Sequence, residues 1–426
     1  METKQVKLKS LKIKIYPNEN QKKILNEFIN TSRYIYNKTL ELLKNGYSNN
    51  FYNLRNTLVT YETKKEDEII KKIDNQIKEI QMSNLENTEK ELELLKKQKS
   101  ERIKLIEPTI NTKIKDFELR TPKEIRANAV KQCSDALKTG ITNLKNGNIK
   151  YFNMKFRKKK NKQQGIELQS NQISFLDGNL KILPRIFQSD SIIKIHNRMK
   201  KKIIKNKIAI HHNSEIIRNH KEYFLYVVVP TTIKEKKENP KVISGIDLGI
   251  RTFATIYSDS EKENSITEIN IRNELLKKYN EKLKILRNRK KIRRNQLSKY
   301  EKKKKNLIDS FHWESINEII SNSDIVYLGL INSHNIVRGN KNKVLNTNCN
   351  DLKFYQFRQR LLYKASVNQK QVFLVKEQYT TKTCSSCGIL NKEIGSSKVF
   401  CCKNCNLVTD RDHNASKNIL MKGILN

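Results

Sequence analysis

Residues 371–420 read QVFLVKEQYTTKTCSSCGILNKEIGSSKVFCCKNCNLVTDRDHNASKNIL. The apolar run Val372–Val375 predicts a buried strand, and the acidic Glu377 marks its end. Two C-x-x-C pairs follow, Cys384/Cys387 and Cys402/Cys405, with fourteen residues between them. Two such turns supply four thiolates, the donor set of a tetrahedral zinc ion. With all four positions taken by protein, such a zinc is structural rather than catalytic. Disulfides are the alternative reading, but they belong to secreted chains, and no signal peptide is evident. Cys401 can replace Cys402 only by giving up the two-residue knuckle. The run Asp410-Arg411-Asp412-His413-Asn414-Ala415 then opens a helix. Glu377 lies seven residues before the first cysteine and Asp412 seven after the last. If the knuckles form an inserted hairpin, its ends meet and both carboxylates face one site.

Composition bounds the partner. The chain has 426 residues, enough for two or three domains, and its formal charge is +42. An excess of that size implies a polyanion, most simply nucleic acid. The longest apolar run, Tyr223–Val229, is too short to span a bilayer, so no membrane partner is expected and the protein is read as intracellular. Cys133, Cys349 and Cys401 are left over as plain thiols.

Upstream, Leu8–Ile15 alternates apolar and basic residues, as a half-buried strand does. Tyr16-Pro17-Asn18 stops it, and Asn18 or Asn20 caps a helix over 21–44. The exposed side of that helix offers Arg33 and Tyr34 to nucleic acid, or simply to water. Residues 63–107 read as an antiparallel helical hairpin with no chemistry. Thr121-Pro122 opens a further helix, which leads into Tyr151–Lys160. There the aromatics alternate with Lys155, Arg157, Lys158, Lys159 and Lys160. The segment suits stacking with phosphate contact, or a basic sheet edge that resists aggregation. Residues 166–230 look β-rich, and a charged linker over 234–241 marks a boundary.

Beyond the linker, Val242–Ile250 and Phe253–Tyr257 are strands around Asp247 and a Gly turn. Alone, an Asp before Gly is ordinary turn chemistry. Residues 271–305 predict one long helix with Leu275, Tyr279, Leu283 and Leu286 on a stripe. Its other faces carry Arg287, Arg289, Arg293 and Arg294, a one-signed charge that suits phosphate contact. A helix near 311–320, a strand over 325–328 and a helix near 352–365 lead back to Glu377. Lys302–Lys305 is either a nuclear signal or a phosphate contact.

Gly245-Ile246-Asp247-Leu248-Gly249, the four knuckle cysteines and the run Asp410–Ile419 together resemble the carboxy-terminal half of the TnpB/Fanzor proteins. That family comprises transposon-associated, RNA-guided DNA nucleases. Its start is matched by the Tyr16-Pro17 stop with Gln21 and by Arg33-Tyr34-x-Tyr36-Asn37. Its middle is matched by Thr121-Pro122-x-x-Ile125-Arg126 and Lys155-Phe156-Arg157-x-Lys159-Lys160. The resemblance implies an α/β RuvC-like (RNase H) nuclease domain over 241–426, with a zinc ribbon at about 379–409. It implies a β-barrel, wedge-like domain over 1–50 and 151–235, interrupted by a helical recognition region over 51–150. It also implies two Mg²⁺ ions on a carboxylate triad, a guide RNA and a double-stranded DNA target. Asp247 corresponds to the first carboxylate and Asp412 to the third, with Asp410 outside the metal shell or capping the helix. The usual second Glu is replaced here by Gly329. Fanzor-like members place a glutamate just before the knuckle, and Glu377 matches that position. Alternatives are a catalytically weak or dead DNA/RNA-binding regulator, and a transposase acting in DNA recombination. The compartment implied is nucleus, cytoplasm or viral factory for a eukaryotic or viral source, and cytoplasm for a bacterial one.

Overall fold

The computed structural model describes residues 6–60, 73, 76–77, 93–98, 115–161, 163–233, 241–260, 264–271, 273–289, 294–339, 342–391 and 397–425. The expected hairpin over 63–107 lies almost wholly outside them, as do Arg293 and the linker over 234–240. Residues 8–229 form one compact unit; residues 1–7 and 230–426 form the other.

In the first unit, strand β1 (Val6–Tyr16) leads into helix α1 (Glu19–Lys44). Asn18 and Gln21 form a reciprocal capping box there, each side chain accepting from the other's backbone N–H at 2.8 Å. Gln21 Nε2 also donates to the carbonyls of Asp190 and Ile192, tying the helix start to the sheet. Short helices α2 (Phe51–Arg55) and α3 (Asp116–Arg120) precede α4 (Lys123–Lys145), which packs along α1. Strands β2 (Gln163–Leu168), β3 (Ile173–Leu176), β4 (Asn179–Ile182) and β5 (Ile192–Ile195) follow, with helix α5 (Pro184–Phe187) between the last two. Helix α6 (Asn197–Lys205) leads to β6 (Ser214–Asn219) and β7 (Glu222–Thr232). The seven strands form one sheet in the order β2-β6-β7-β1-β5-β4-β3. Among the described residues no ladder closes it into a barrel. Edge residues Ile166 and Leu168 of β2 and Ile173 of β3 nevertheless share one apolar core with Leu25 and Phe28 of α1.

The second unit holds a five-stranded sheet in the order β10-β9-β8-β11-β12. β8 (Val242–Leu248), β9 (Ala254–Ser260) and β10 (Ser265–Ile269) form an antiparallel meander. β11 (Ile325–Gly329) and β12 (Gln371–Val375) run parallel to β8 on its other side. A meander whose first strand is extended by parallel strands is the arrangement of an RNase H-type sheet. Ile246, Leu248, Ile256, Val326 and Leu328 turn one face of it onto a helical layer.

That layer differs from the expected single helix over 271–305. Helix α7 (Asn273–Arg287) ends after Arg287, and α8 (Arg294–Asn322) is a separate 29-residue helix that takes in the expected 311–320 segment. Arg287, Lys290, Lys291 and Arg294 would stack like charges at three- and four-residue spacing on a continuous helix. Breaking there lets α7 pack back on α8, with Leu276, Leu283 and Leu286 buried and Tyr279 beside Tyr300. Helix α9 (Ser333–Gly339) and α10 (Lys343–Leu352), both unexpected, precede α11 (Phe354–Val367). The chain turns between the last two at Lys353, whose φ is +48°. The opposite face of the sheet receives α12 (Arg411–Leu425). Among the described residues, no helix is long and apolar enough to cross a membrane.

Candidate active site

Three parallel strand ends build the site. Leu328 of β11 stands beside Ile246 of β8, which places Gly329 beside Asp247; Gly329 in turn pairs with Val375 of β12. Glu377 follows Val375 by two residues. Carboxyl ends of parallel strands are where α/β sheets place their functional groups. Across the meander, Asp247 pairs with Thr255 and Thr255 with Glu268. Directly paired residues share a face, so the two acids lie in one row.

Gly245 explains how α12 reaches this face. A Cβ at Gly245 would lie 2.4 Å from the Ser416 carbonyl oxygen and 2.7 Å from the Leu420 backbone nitrogen. Only glycine lets the helix backbone settle that closely on β8, which brings Asp412 in the first turn of α12 to Asp247. Asp410 lies outside, as an N-cap: its Oδ1 accepts from the Asp412 backbone N–H at 2.8 Å and its Oδ2 is 3.4 Å from Lys398.

Gly329 accounts for Glu377. A Cβ on Gly329 would lie 2.6 Å from Glu377 Oε1 and 3.1 Å from its Cγ. The glutamate side chain therefore fills the space a larger residue at 329 would claim. Its Oε1 is buried and has no hydrogen-bond partner. Burial drives the Asp247 carboxyl well above the usual range, Glu377 and Asp412 add repulsion, and Arg411 partly offsets them. Burial likewise pushes Glu377 up to about 7. Asp412 is raised by burial first and by Asp410 second. Asp247, whose ionisation both neighbouring acids oppose, and Glu377, with its orphaned oxygen, are groups that a bound cation would relieve. Magnesium matches the all-oxygen donors.

Among the described residues, the four knuckle cysteines form a group whose ligand atoms all lie within 4.8 Å of one another. Cys384 Sγ is 3.6 Å from Cys405 Sγ, and Cys387 Sγ is 3.6 Å from Cys402 Sγ. That is far beyond a disulfide of about 2.05 Å. It is close to the edge of about 3.8 Å that a tetrahedron with 2.3 Å Zn–S arms requires. The two knuckles are built alike. Gly388 N donates to Cys384 O and Asn406 N to Cys402 O, and both donors have positive φ, +77° and +58°. Backbone N–H groups of Cys405 and then Asn404 hold the Cys402 thiol down to about 6, toward the thiolate a metal needs. Strands β13 (Val399–Cys401) and β14 (Val408–Asp410) pair behind the site, over the buried Phe400, and Cys401 stays exposed.

Two residues that sequence reasoning passed over bolt the knuckle to the acid site. Asn414 accepts from Ser385 N at 2.8 Å and donates to Thr383 O at 2.8 Å. Asn418 donates to the carbonyls of Thr380 and Thr383, while Thr380 Oγ1 donates to the Glu377 carbonyl. Their signal was available: two asparagines four apart on the face that α12 buries. His413 Nε2 also meets Glu268 Oε1 at 3.1 Å.

The expected nucleic-acid contacts are placed individually. Lys155, Lys158, Lys159 and Lys160 are exposed, as are Arg287, Arg289 and Arg294. Arg287 pairs with Glu301 at 3.4 Å. Tyr34 is half-buried edge-on to Phe117, with Lys38 and Lys115 over its ring. Arg33 and Arg157 line one cleft.

The Cas12f1-like TNB domain model matches residues 354–419, which hold α11, β12 and the knuckles. A helix-turn-helix domain model of the OrfB_IS605 type matches residues 5–50, which fold here as β1, α1 and the turn after it. TnpB-like protein L79 of Acanthamoeba polyphaga mimivirus is 29% identical over 98% of this chain and 74% of its own length. A Paramecium bursaria Chlorella virus 1 protein named "Putative transposase A625R" is 30% identical over 71% of this chain and 70% of its own. The CRISPR-associated endodeoxyribonuclease Cas12f2 of a Micrarchaeota archaeon is 29% identical over 48% of this chain and 41% of its own. Similarity to TnpB-like proteins over nearly the whole of this chain, taking in both domain models, makes it a member of the TnpB family.

Proposed function

We propose that this chain is an RNA-guided DNA endonuclease that hydrolyses phosphodiesters at a two-magnesium site held by Asp247, Glu377 and Asp412. Glu377 carries the reading. Its carboxylate occupies the space left by Gly329, with an orphaned buried oxygen beside Asp247. Asp247 feels both other acids, and the three carboxylates together would hold the magnesium. Asp410 holds the first turn of α12 and so fixes where Asp412 points. Arg411 tempers the negative charge. When bound, magnesium supplies the Lewis acidity that stabilises the attacking and leaving oxygens of an in-line displacement. The endodeoxyribonuclease name of the Cas12f2 relative supports DNA as substrate. The charge of +42 supports a nucleic-acid guide gripped through its backbone. The cysteine site holds zinc as a brace.

The test is plasmid cleavage in Mg²⁺ by protein purified with its co-expressed flanking RNA. Asp247→Ala, Glu377→Ala and Asp412→Ala should each lower the rate by about 10²–10³-fold, the equivalent of several kcal/mol of charge stabilisation. Asp247→Asn should also raise the melting temperature in EDTA, because it removes repulsion, and should abolish any rise produced by Mg²⁺. Full cutting by Glu377→Ala would sink the triad. A wild type that binds guide and target but never cuts would be a regulator, and strand joining of transposon ends would make it a recombinase.

A further inference from the structure

The unit spanning residues 8–229 carries a second polar site. A cleft of about 270 Å³ lies between α1, α4, β2 and β6, with Arg33, Gln132, Arg157, Gln164, Gly165 and Glu215 on its walls. Two of its wall residues each hold a buried atom without a partner: Arg33 Nε, a donor, and Gln164 Oε1, an acceptor. The other ends of both side chains are held. Arg33 Nη2 donates to Asn30 Oδ1 at 3.4 Å, and Gln164 Nε2 donates to the carbonyls of Lys159 and Asn161 at 2.8 and 3.1 Å. A buried orphan of either kind forfeits a hydrogen bond it would have made in water. Two orphans of opposite sense on one cleft are both satisfied by a ligand that offers an acceptor and a donor together.

The remaining walls are preorganised. The Arg157 guanidinium lies 3.6 Å from the Tyr36 ring centroid, and its Nη1 donates to Gln132 Oε1 at 3.1 Å. Asn37 clamps the Arg157 backbone from both sides, at 2.8 and 3.0 Å. Gly165 keeps the floor open: a Cβ there would lie 2.7 Å from the Ile216 carbonyl oxygen and 3.2 Å from Glu215 Oε1. Burial, with Glu167 second, raises the Glu215 carboxyl.

The cleft lies just below the range of ligand sites, which run from about 300 to 1,000 Å³, so it takes at most one nucleotide rather than a helix. Unpaired bases are read through their exposed edges. Guanine alone presents two acceptors, O6 and N7, which suit a guanidinium, next to N1–H and N2–H donors, which suit a carboxylate or amide oxygen. We propose that this cleft binds a single unstacked guanine nucleotide of a bound nucleic acid, with Arg33 donating to O6/N7 and with Gln164 and Glu215 accepting from N1–H and N2–H. This rests on the reading of the chain as a nucleic-acid binder, but not on its cutting anything.

The experiment uses the full, zinc-loaded chain stripped of nucleic acid by nuclease and high salt. It is titrated by calorimetry with GMP, AMP, UMP and inorganic phosphate. GMP should bind at least ~10-fold more tightly than AMP or UMP, and phosphate more weakly still. Gln164→Leu and Arg33→Met each delete an orphaned atom. Each also removes a made hydrogen bond, from Arg33 Nη2 to Asn30 or from Gln164 Nε2 to the Lys159 and Asn161 carbonyls, so the melting temperature should fall modestly, while GMP weakens at least ~5-fold and phosphate binding is unchanged. Equal binding of GMP, AMP and phosphate would reveal a plain anion site and overturn the proposal. GMP binding unchanged in both variants would overturn it as well. Protein that discriminates GMP but cuts no plasmid keeps this proposal and loses the nuclease reading, so the two fail separately.

Discussion

Gly329 leaves beside β11 a space that a side chain from another strand fills. An acid was expected there, and sequence alone left open whether the site was dead or rebuilt. Strand register puts Glu377 beside that space, because it extends from β12 over the position a β11 side chain would occupy. Gly329→Ala should therefore displace the Glu377 carboxylate, whose Oε1 would lie 2.6 Å from the new Cβ. Because the neighbour that must give is mostly the far end of a flexible side chain, the cost in stability should stay within about 1–2 kcal/mol. Cleavage should fall at least ~10-fold, since the catalytic oxygen is moved rather than the fold. Plasmid-cutting rates beside melting temperatures check this; full activity in Gly329→Ala would mean that Glu377 has no fixed seat. The expectation about Glu377 came from the resemblance, and its seat came from pairing between residues far apart in sequence. No window along the chain contains that information.

The zinc knuckle is the element most legible in sequence, because its geometry is written in spacing local enough to read. Cys402 and not Cys401 turns inward because the knuckle bond from Asn406 N to Cys402 O fixes the second pair as Cys402/Cys405. Cys402→Ser should lose the metal and, through Asn414 and Asn418, loosen Glu377 and Asp412 together. Cys401→Ser should keep one zinc per chain and full cutting. Metal analysis by mass spectrometry separates the two, and equal zinc in both variants would reassign the ligand. The helices were harder to read. The break after Arg287 and the chain reversal at Lys353 depend on what each helix packs against, which periodicity does not record. The seam between α8 and α11 shows such packing. His312 of α8 is fully buried, donates from Nε2 to Leu352 O at 2.9 Å and accepts at Nδ1 from Arg360 at 3.1 Å. Burial first, with the Arg360 charge opposing protonation, lowers its pKa from 6.5 to about 4. The unfolded chain takes up this proton below about 6.5 and the folded chain only near 4. Stability from this group is thus complete above pH 6.5 and lost as pH falls toward 4, by about 3 kcal/mol in all. Urea unfolding followed through Trp313, the chain's one tryptophan, should show a midpoint at pH 5 well below that at pH 7. His312→Gln should flatten the difference, and an unchanged slope in that variant would assign the acid sensitivity elsewhere.

At the scale of the whole molecule the governing quantity is charge, and it was the first thing legible: 86 Lys and Arg against 44 Asp and Glu. Composition announces a polyanion partner but not where the partner lies, because exposure is decided by folding. The structure sorts the cations. Arg157 is fixed against Tyr36 and Gln132, and Arg360 is drawn inward onto His312 and Asp309, whereas Lys158, Lys159 and Lys160 stand in solvent just before β2. Exposed lysines bind phosphate by releasing condensed counterions, which makes affinity fall steeply with salt. A protein of this charge, freed of RNA and engaging about six to ten phosphates, should bind duplex DNA some 10³–10⁵-fold more weakly at 200 mM than at 50 mM KCl. Replacing Lys158, Lys159 and Lys160 together by Gln should lower the logarithmic slope by up to about three, about one for each phosphate no longer engaged. That change should leave the melting temperature alone, since these side chains touch no core. Fluorescence anisotropy with a labelled duplex across a KCl series measures both the affinity and its slope. A slope that the triple variant leaves untouched would place the phosphate grip on other cations, with the exposed arginines of α7 and α8 next to be tried.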